Sequence, residues 1–120
     1  MPDDAFKEFV LDQLSTLPDV RARAMFGAHG LYQGERFFGI LDEGRLFFKV
    51  SETSRAAYVE RGMGPFTYEA RGKTIRLGFY EVPLDVVEKP ADLVEWTRQA
   101  IQVATAAARK PAKKTRPAAD

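Results

Sequence analysis

Between Met25 and Val50 the chain reads MFGAHGLYQGERFFGILDEGRLFFKV. Three apolar, aromatic runs are separated by glycine-centred turns, with no room for a helix between them. Short strands joined by tight turns must pair antiparallel, so this block commits the protein to a meander. A first strand is expected from about Val20 to Phe26, with Leu31-Tyr32 continuing it after the Gly27-Ala28-His29-Gly30 interruption. Gln33-Gly34-Glu35 then turns into Arg36–Asp42, and Glu43-Gly44 turns into Arg45–Val50.

Helical signals flank the block. Asp3 or Asp4 can cap a helix in which Phe6, Phe9, Val10, Leu14 and Leu17 share one face, and Pro18 ends it. Ser51 caps a short helix to about Arg61, with Gly62 at the position after its C-cap. A hairpin follows. Phe66, Tyr68 and Ala70 alternate with polar residues, Arg71-Gly72 turns, and Ile75, Leu77 and Phe79 alternate on the return. Pro83 begins a brief helical turn. Pro90 opens a last helix, with Asp92 in its first turn and Leu93, Trp96, Ala100, Ile101 and Ala104 as its apolar stripe.

The order α-β-β-β-α-β-β-α predicts an α+β domain of two layers: a five-stranded antiparallel sheet with helices mainly on one face. The first and last helices are expected on the face bearing Leu46, Phe48 and Val50, with Trp96 buried between the last helix and the sheet. At 120 residues one domain is expected, large enough for a core without metals or disulfides. Cysteine is absent, which excludes a disulfide framework and thiolate metal sites and fits a reducing, cytoplasmic setting. The acidic start MPDDAFKEF offers no signal-peptide core, and no apolar run is long enough for a membrane helix.

Charge divides the chain in two. Residues 109–120 carry Arg109, Lys110, Lys113, Lys114 and Arg116 against Asp120. Removing these from 18 basic and 17 acidic residues leaves thirteen and sixteen, so residues 1–108 are net −3. The reading is a folded domain over 1–108 and a disordered basic tail over 109–120, where prolines, alanines and cations bury too little to offset chain entropy.

Several words in the chain form an ordered set: Met25-Phe26-Gly27, Gly30-Leu31-Tyr32, Gly44-Arg45-Leu46, Lys49-Val50, Pro65-Phe66-Thr67-Tyr68, Gly72-Lys73-Thr74, Glu81-Val82-Pro83, and Leu93 with Glu95-Trp96. Over about residues 20–104 this set resembles the N-terminal domain of the TfoX/Sxy family, named for bacterial competence regulators. The resemblance implies a fold like that of secretion chaperones and a regulator that works through protein contact near transcription machinery. It supplies no catalytic residue. The basic tail stands where full-length regulators of the family carry a second, helical domain.

Reaction chemistry is sparse. His29, the one histidine, lies between glycines with no second strong ligand at useful spacing, and reads as a turn residue rather than a base or metal ligand. Gly72-Lys73-Thr74 copies the end of a phosphate-binding loop, but Thr67 stands where the first glycine belongs, and a strand follows where a helix is required. Ser15, Ser51 and Ser54 lie in no nucleophile elbow. The pairs Asp3-Asp4 and Asp42-Glu43 sit at a helix start and a turn. No enzyme and no cofactor are expected.

The aromatics are the stronger lead. In Arg36–Asp42 both faces are apolar, Phe37, Gly39 and Leu41 against Phe38 and Ile40, while Phe47 and Tyr80 point opposite the set assigned to the core. A sheet covered on one side should be polar on the other, so Phe47, with Phe37 or Tyr80, is expected on an apolar patch that meets a protein partner or a second copy. Five cations in the tail offer weak, nonspecific contact with nucleic-acid backbone as the alternative function.

Overall fold

The computed structural model describes residues 3–25 and 27–109, the side chains of Asp3, Ala108 and Arg109 excepted. Helix α1 (Asp3–Gln13) leads into strands β1 (Val20–Met25), β2 (Ala28–Gln33), β3 (Arg36–Asp42) and β4 (Arg45–Lys49). Helix α2 (Glu52–Glu60) separates these from β5 (Pro65–Ala70) and β6 (Lys73–Glu81), and α3 (Leu84–Val87) and α4 (Pro90–Arg109) complete the chain. The α+β class holds, with four helices among the described residues.

The sheet has six antiparallel strands in the order β1-β2-β3-β4-β6-β5, not five. The difference lies at the first turn. Met25 pairs with Ala28, so the chain reverses there and β2 returns alongside β1 instead of continuing it. The two-residue turns at Glu43-Gly44 and Arg71-Gly72 have both residues at positive φ, the geometry whose twist matches paired strands. Ser51 caps α2 through a reciprocal box: its Oγ accepts from the Ser54 N–H at 3.1 Å, and Ser54 Oγ accepts from the Ser51 N–H at 2.9 Å.

All four helices pack on one face. Phe6, Val10 and Leu14 of α1, Tyr58 of α2, Val86 and Val87 of α3 and Leu93, Ala100 and Ala104 of α4 share a buried cluster with Leu31, Phe38, Leu41, Leu46, Phe48 and Val82. Gln13 Nε2 also donates to the Val87 carbonyl, tying α1 to α3 at 3.0 Å. Val50 packs against the rim of this core, as its alternation predicts.

Trp96 departs from expectation. It is only partly buried at the margin of the helix-side core, its ring edge-on to Tyr58 of α2 with centroids 4.9 Å apart and the Arg61 guanidinium 5.6 Å from the ring centroid. Leu93 and Trp96's neighbour Thr97 are the residues that α4 turns fully inward, each at 0% exposure.

Two irregularities shape the sheet. Leu31 pairs with Gly39 but Tyr32 with Phe37, leaving Phe38 as an extra residue in β3. The bulge breaks strict alternation: Phe38 and Leu41 join the helix-side core, whereas Phe37 and Ile40 face the other way. Gly39 fits the crowded point because a Cβ there would lie 3.1 Å from the Phe47 carbonyl oxygen. In β6, Gly78 has φ +74° near a shift in the β5–β6 register. A bulge bends its strand and increases local twist.

Candidate functional site

The face opposite the helices holds a second core. Ala28, Ile40, Phe47, Phe66 and Phe79 are buried there, with Met25, Phe37, Tyr68 and Leu77 packed around them. The Phe47 and Phe66 rings meet edge-on with centroids 5.0 Å apart, and Phe37 lies 4.9 Å from Phe79 and 5.1 Å from Tyr32. Three cations roof these rings, each 5.2 Å from a centroid: Arg23 over Tyr32, Arg45 over Phe47 and Lys49 over Phe79. Arg45 also reaches Glu81 at 3.8 Å.

This arrangement corrects the expected patch. Phe47 is 2% exposed and enclosed within its own chain. Phe37 is half-buried on the same face. Tyr80 lies on the helix side, 6.3 Å from Tyr58, because cross-strand partners share a face and Tyr80 pairs with the inward Phe48. Phe79, assigned by alternation to the helix-side core, pairs with Lys49 and faces the second core instead. The three aromatics therefore form no single surface.

What encloses Phe47 is the sheet itself. Met25 at one edge and Phe66, Tyr68 and Ala70 at the other line one cavity of about 490 Å³, together with Ala28, Asp42 and Glu69. In a flat sheet β1 and β5, five steps apart, would stand roughly 24 Å from each other at about 4.8 Å per step. The sheet curls until its two edges share a pocket of a size that suits a side chain or small ligand. Among the described residues lining it there are two carboxylates and no lysine or arginine. Glu69 is held by the Thr74 hydroxyl, which donates to Oε2 at 2.7 Å.

A larger, shallower groove of about 780 Å³ runs between the start of α2 and the end of α4. Its walls mix Ser51, Thr53 and Gln102 with Val50, Val103 and Ala106, and its charges, Lys49 and Glu52, are of opposite sign. It expresses no preference for a ligand class.

The remaining candidates from the sequence are placed as follows. Lys73 and Thr74 begin β6, so Gly72-Lys73-Thr74 forms a hairpin turn and strand start. His29 is half-buried in β2 between Ala24 and Leu41. Arg109 ends α4, whereas Lys110, Lys113, Lys114 and Arg116 lie outside the described residues. Burial pushes the Tyr58 phenol well above its ordinary pKa. No helix among the described residues is long and apolar enough to cross a membrane.

A meander sheet with helices on one face and a pocketed aromatic core on the other defines a small α+β domain built around surfaces. Residues 12–104 match the TfoX N-terminal domain, and the chain belongs to that family. It is also similar to Protein Sxy of Escherichia coli (strain K12), at 24% identity over 93 residues. That alignment covers 78% of this chain and 44% of Sxy, so the chain spans less than half the length of that relative.

Proposed function

We propose that this domain is a non-enzymatic regulatory module of the TfoX type, acting by protein contact in a competence- or transcription-related process. The observation that carries the reading is the cavity between the two sheet edges. Most of the residues that line it are apolar or aromatic, Met25, Ala28, Phe66, Tyr68 and Ala70, with few polar groups among them, which is the usual composition of a recognition pocket. Family membership supports the same reading. The acidic balance of residues 1–108 favours a protein partner over nucleic acid for the folded domain, since phosphate would be repelled.

The test is affinity capture from the source cells with the full chain, with and without nuclease, alongside a Tyr68→Ala chain of unchanged melting temperature. A partner that survives nuclease and is lost with Tyr68→Ala supports the reading. Capture that disappears with nuclease, or with deletion of residues 109–120 alone, assigns binding to nucleic acid through the tail.

A further inference from the structure

Resting on that reading, we infer that the free edge of β1 takes an extended, acidic segment of the partner as one more strand of the sheet. β1 ends the sheet and has a neighbour on one side only. It pairs with β2 at every residue from Val20 to Met25, with no shift of register. The Gly34 N–H donates to the Asp19 carbonyl at 3.2 Å, and bonds in an antiparallel ladder alternate, so Arg21, Arg23 and Met25 bond toward β2. Val20, Ala22 and Ala24 therefore turn their N–H and C=O groups outward, and none of these groups meets a partner among the described residues. The opposite edge is guarded: β5 begins at Pro65, which has no N–H, and its register shifts before Thr67.

Charge selects the occupant. Arg21 and Arg23 alternate onto one face of β1, and both are exposed. Arg23 rests over Tyr32 at 5.2 Å and Arg21 donates to the Gly34 carbonyl at 3.4 Å, so each keeps further N–H donors for another group. A second copy fits badly. Two β1 strands paired antiparallel about a twofold axis keep their faces together, which sets arginine opposite arginine in the registers of greatest overlap. A strand with carboxylates at alternate positions sets opposite charges there instead. Arg21 and Arg23 occupy the non-hydrogen-bonded positions of this edge, where cross-strand side chains stand closest. Arg45 and Lys49 add cations to the same side of the sheet; the carboxylates there are Asp42 and Glu81, the second already with Arg45. Asp19 precedes the strand, so the segment should be uncharged where it passes that residue. Residues 1–108 are net −3, so the attraction acts at contact and the backbone ladder supplies the rest of the affinity. A nucleic-acid backbone has no such ladder to offer.

Amide NMR on the full chain tests this. The probes are acetyl-Val-Glu-Val-Glu-Val-amide, its counterpart with lysine for both glutamates, and acetyl-Val-Glu-Glu-Val-Val-amide, which puts the acids on opposite faces. The alternating acidic peptide should shift the Ala22 and Ala24 amides saturably and slow their exchange, leaving the Thr67 amide of β5 in place. The lysine peptide should bind roughly tenfold more weakly, because two opposite-charge pairs become like-charge pairs. Arg21→Glu with Arg23→Glu, both at exposed positions, should reverse that order. Ala22→Pro, a change that an edge strand tolerates, should abolish binding of every peptide. Unmoved Ala22 and Ala24 amides, equal binding of the peptide with adjacent acids, or an unreversed order in the folded double variant would each overturn the inference. So would Ala22 and Ala24 amides already protected in a concentration-dependent dimer, which assigns the edge to a second copy. If the peptides fail while capture survives nuclease, only the edge assignment falls. If capture is lost to nuclease, the protein-contact reading falls, whatever the peptides do.

Discussion

The ring of Phe47 stands edge-on to that of Phe66, centroids 5.0 Å apart at 72°, although β6 lies between their strands. Two steps of a flat sheet would separate the strands by roughly 9.6 Å. The contact measures how far β5 leans over the inner face, and it turns a position that alternation sends outward into core.

Phe47 should therefore behave as an interior residue. Phe47→Ala is expected to cost roughly 3–5 kcal/mol in urea unfolding, the usual range for a buried phenylalanine. Phe47→Lys should prevent stable folding altogether, because a charge would be buried without a partner. A well-folded Phe47→Lys protein would place the ring at the surface and refute the curled sheet.

Gly78 holds φ +74° with open space where a Cβ would project, so substitution there probes backbone strain alone. Gly78→Ala should cost roughly 1–2 kcal/mol, the penalty for an L-residue in that region. Loss of the bend should also expose the inner aromatics, read as increased binding of a hydrophobic dye. An unchanged denaturation midpoint would show that the chain can pass this point without left-handed geometry.

Thr97 Oγ1 is buried in α4 with no hydrogen-bond partner among the described residues. An orphaned hydroxyl carries its desolvation cost without compensation, and valine has nearly the same shape and helix propensity. Thr97→Val should raise stability by roughly 1 kcal/mol, seen as a higher urea midpoint with an unchanged slope. Destabilisation would mean that the hydroxyl has a partner in solution.

Tyr58 links stability to alkaline pH. Its folded pKa is raised by desolvation, so the folded state keeps the phenol proton where the unfolded chain releases it. The stabilising difference is fully present below the unfolded pKa of about 10 and is lost as pH rises beyond it, at up to roughly 1.4 kcal/mol per pH unit. Unfolding midpoints should fall between pH 9.5 and 11.5 (about the range in which an unfolded tyrosine ionises) more steeply than in Tyr58→Phe. Identical slopes would remove Tyr58 from the linkage.

Local punctuation was legible in the sequence. Ser51, Pro90 and the Glu43-Gly44 and Arg71-Gly72 turns act through their own backbone geometry, so each can be read without knowing its neighbours. Parity was not. Phe38 and Leu41 share a face only because a bulge inserts one residue, and that depends on how β3 pairs with β2. The extra strand was missed for a related reason, since the reversal after Met25 shows in pairing rather than in composition. Thr97 does carry a signal: with Leu93, Ala100 and Ala104 it completes a stripe spaced four, three and four residues apart. Its polarity hides it. The cavity had no signal at all, because alternation says which side a residue takes and nothing about what folds over that side.

The topology also sets an order in which the molecule can come apart. β1 to β4 are joined by two-residue reversals and can assemble from neighbours in sequence, whereas β6 joins β4 across three register pairs, Phe47–Glu81, Phe48–Tyr80 and Lys49–Phe79. Those three rungs join segments about thirty residues apart, so they carry the long-range part of the folding problem. Amide protons along the seam, such as that of Val82 bonded to the Leu46 carbonyl at 2.7 Å, then report whether the two halves are joined. A ligand bridging β2 and β5 would act as a clasp across that seam, slowing exchange at backbone positions it never touches.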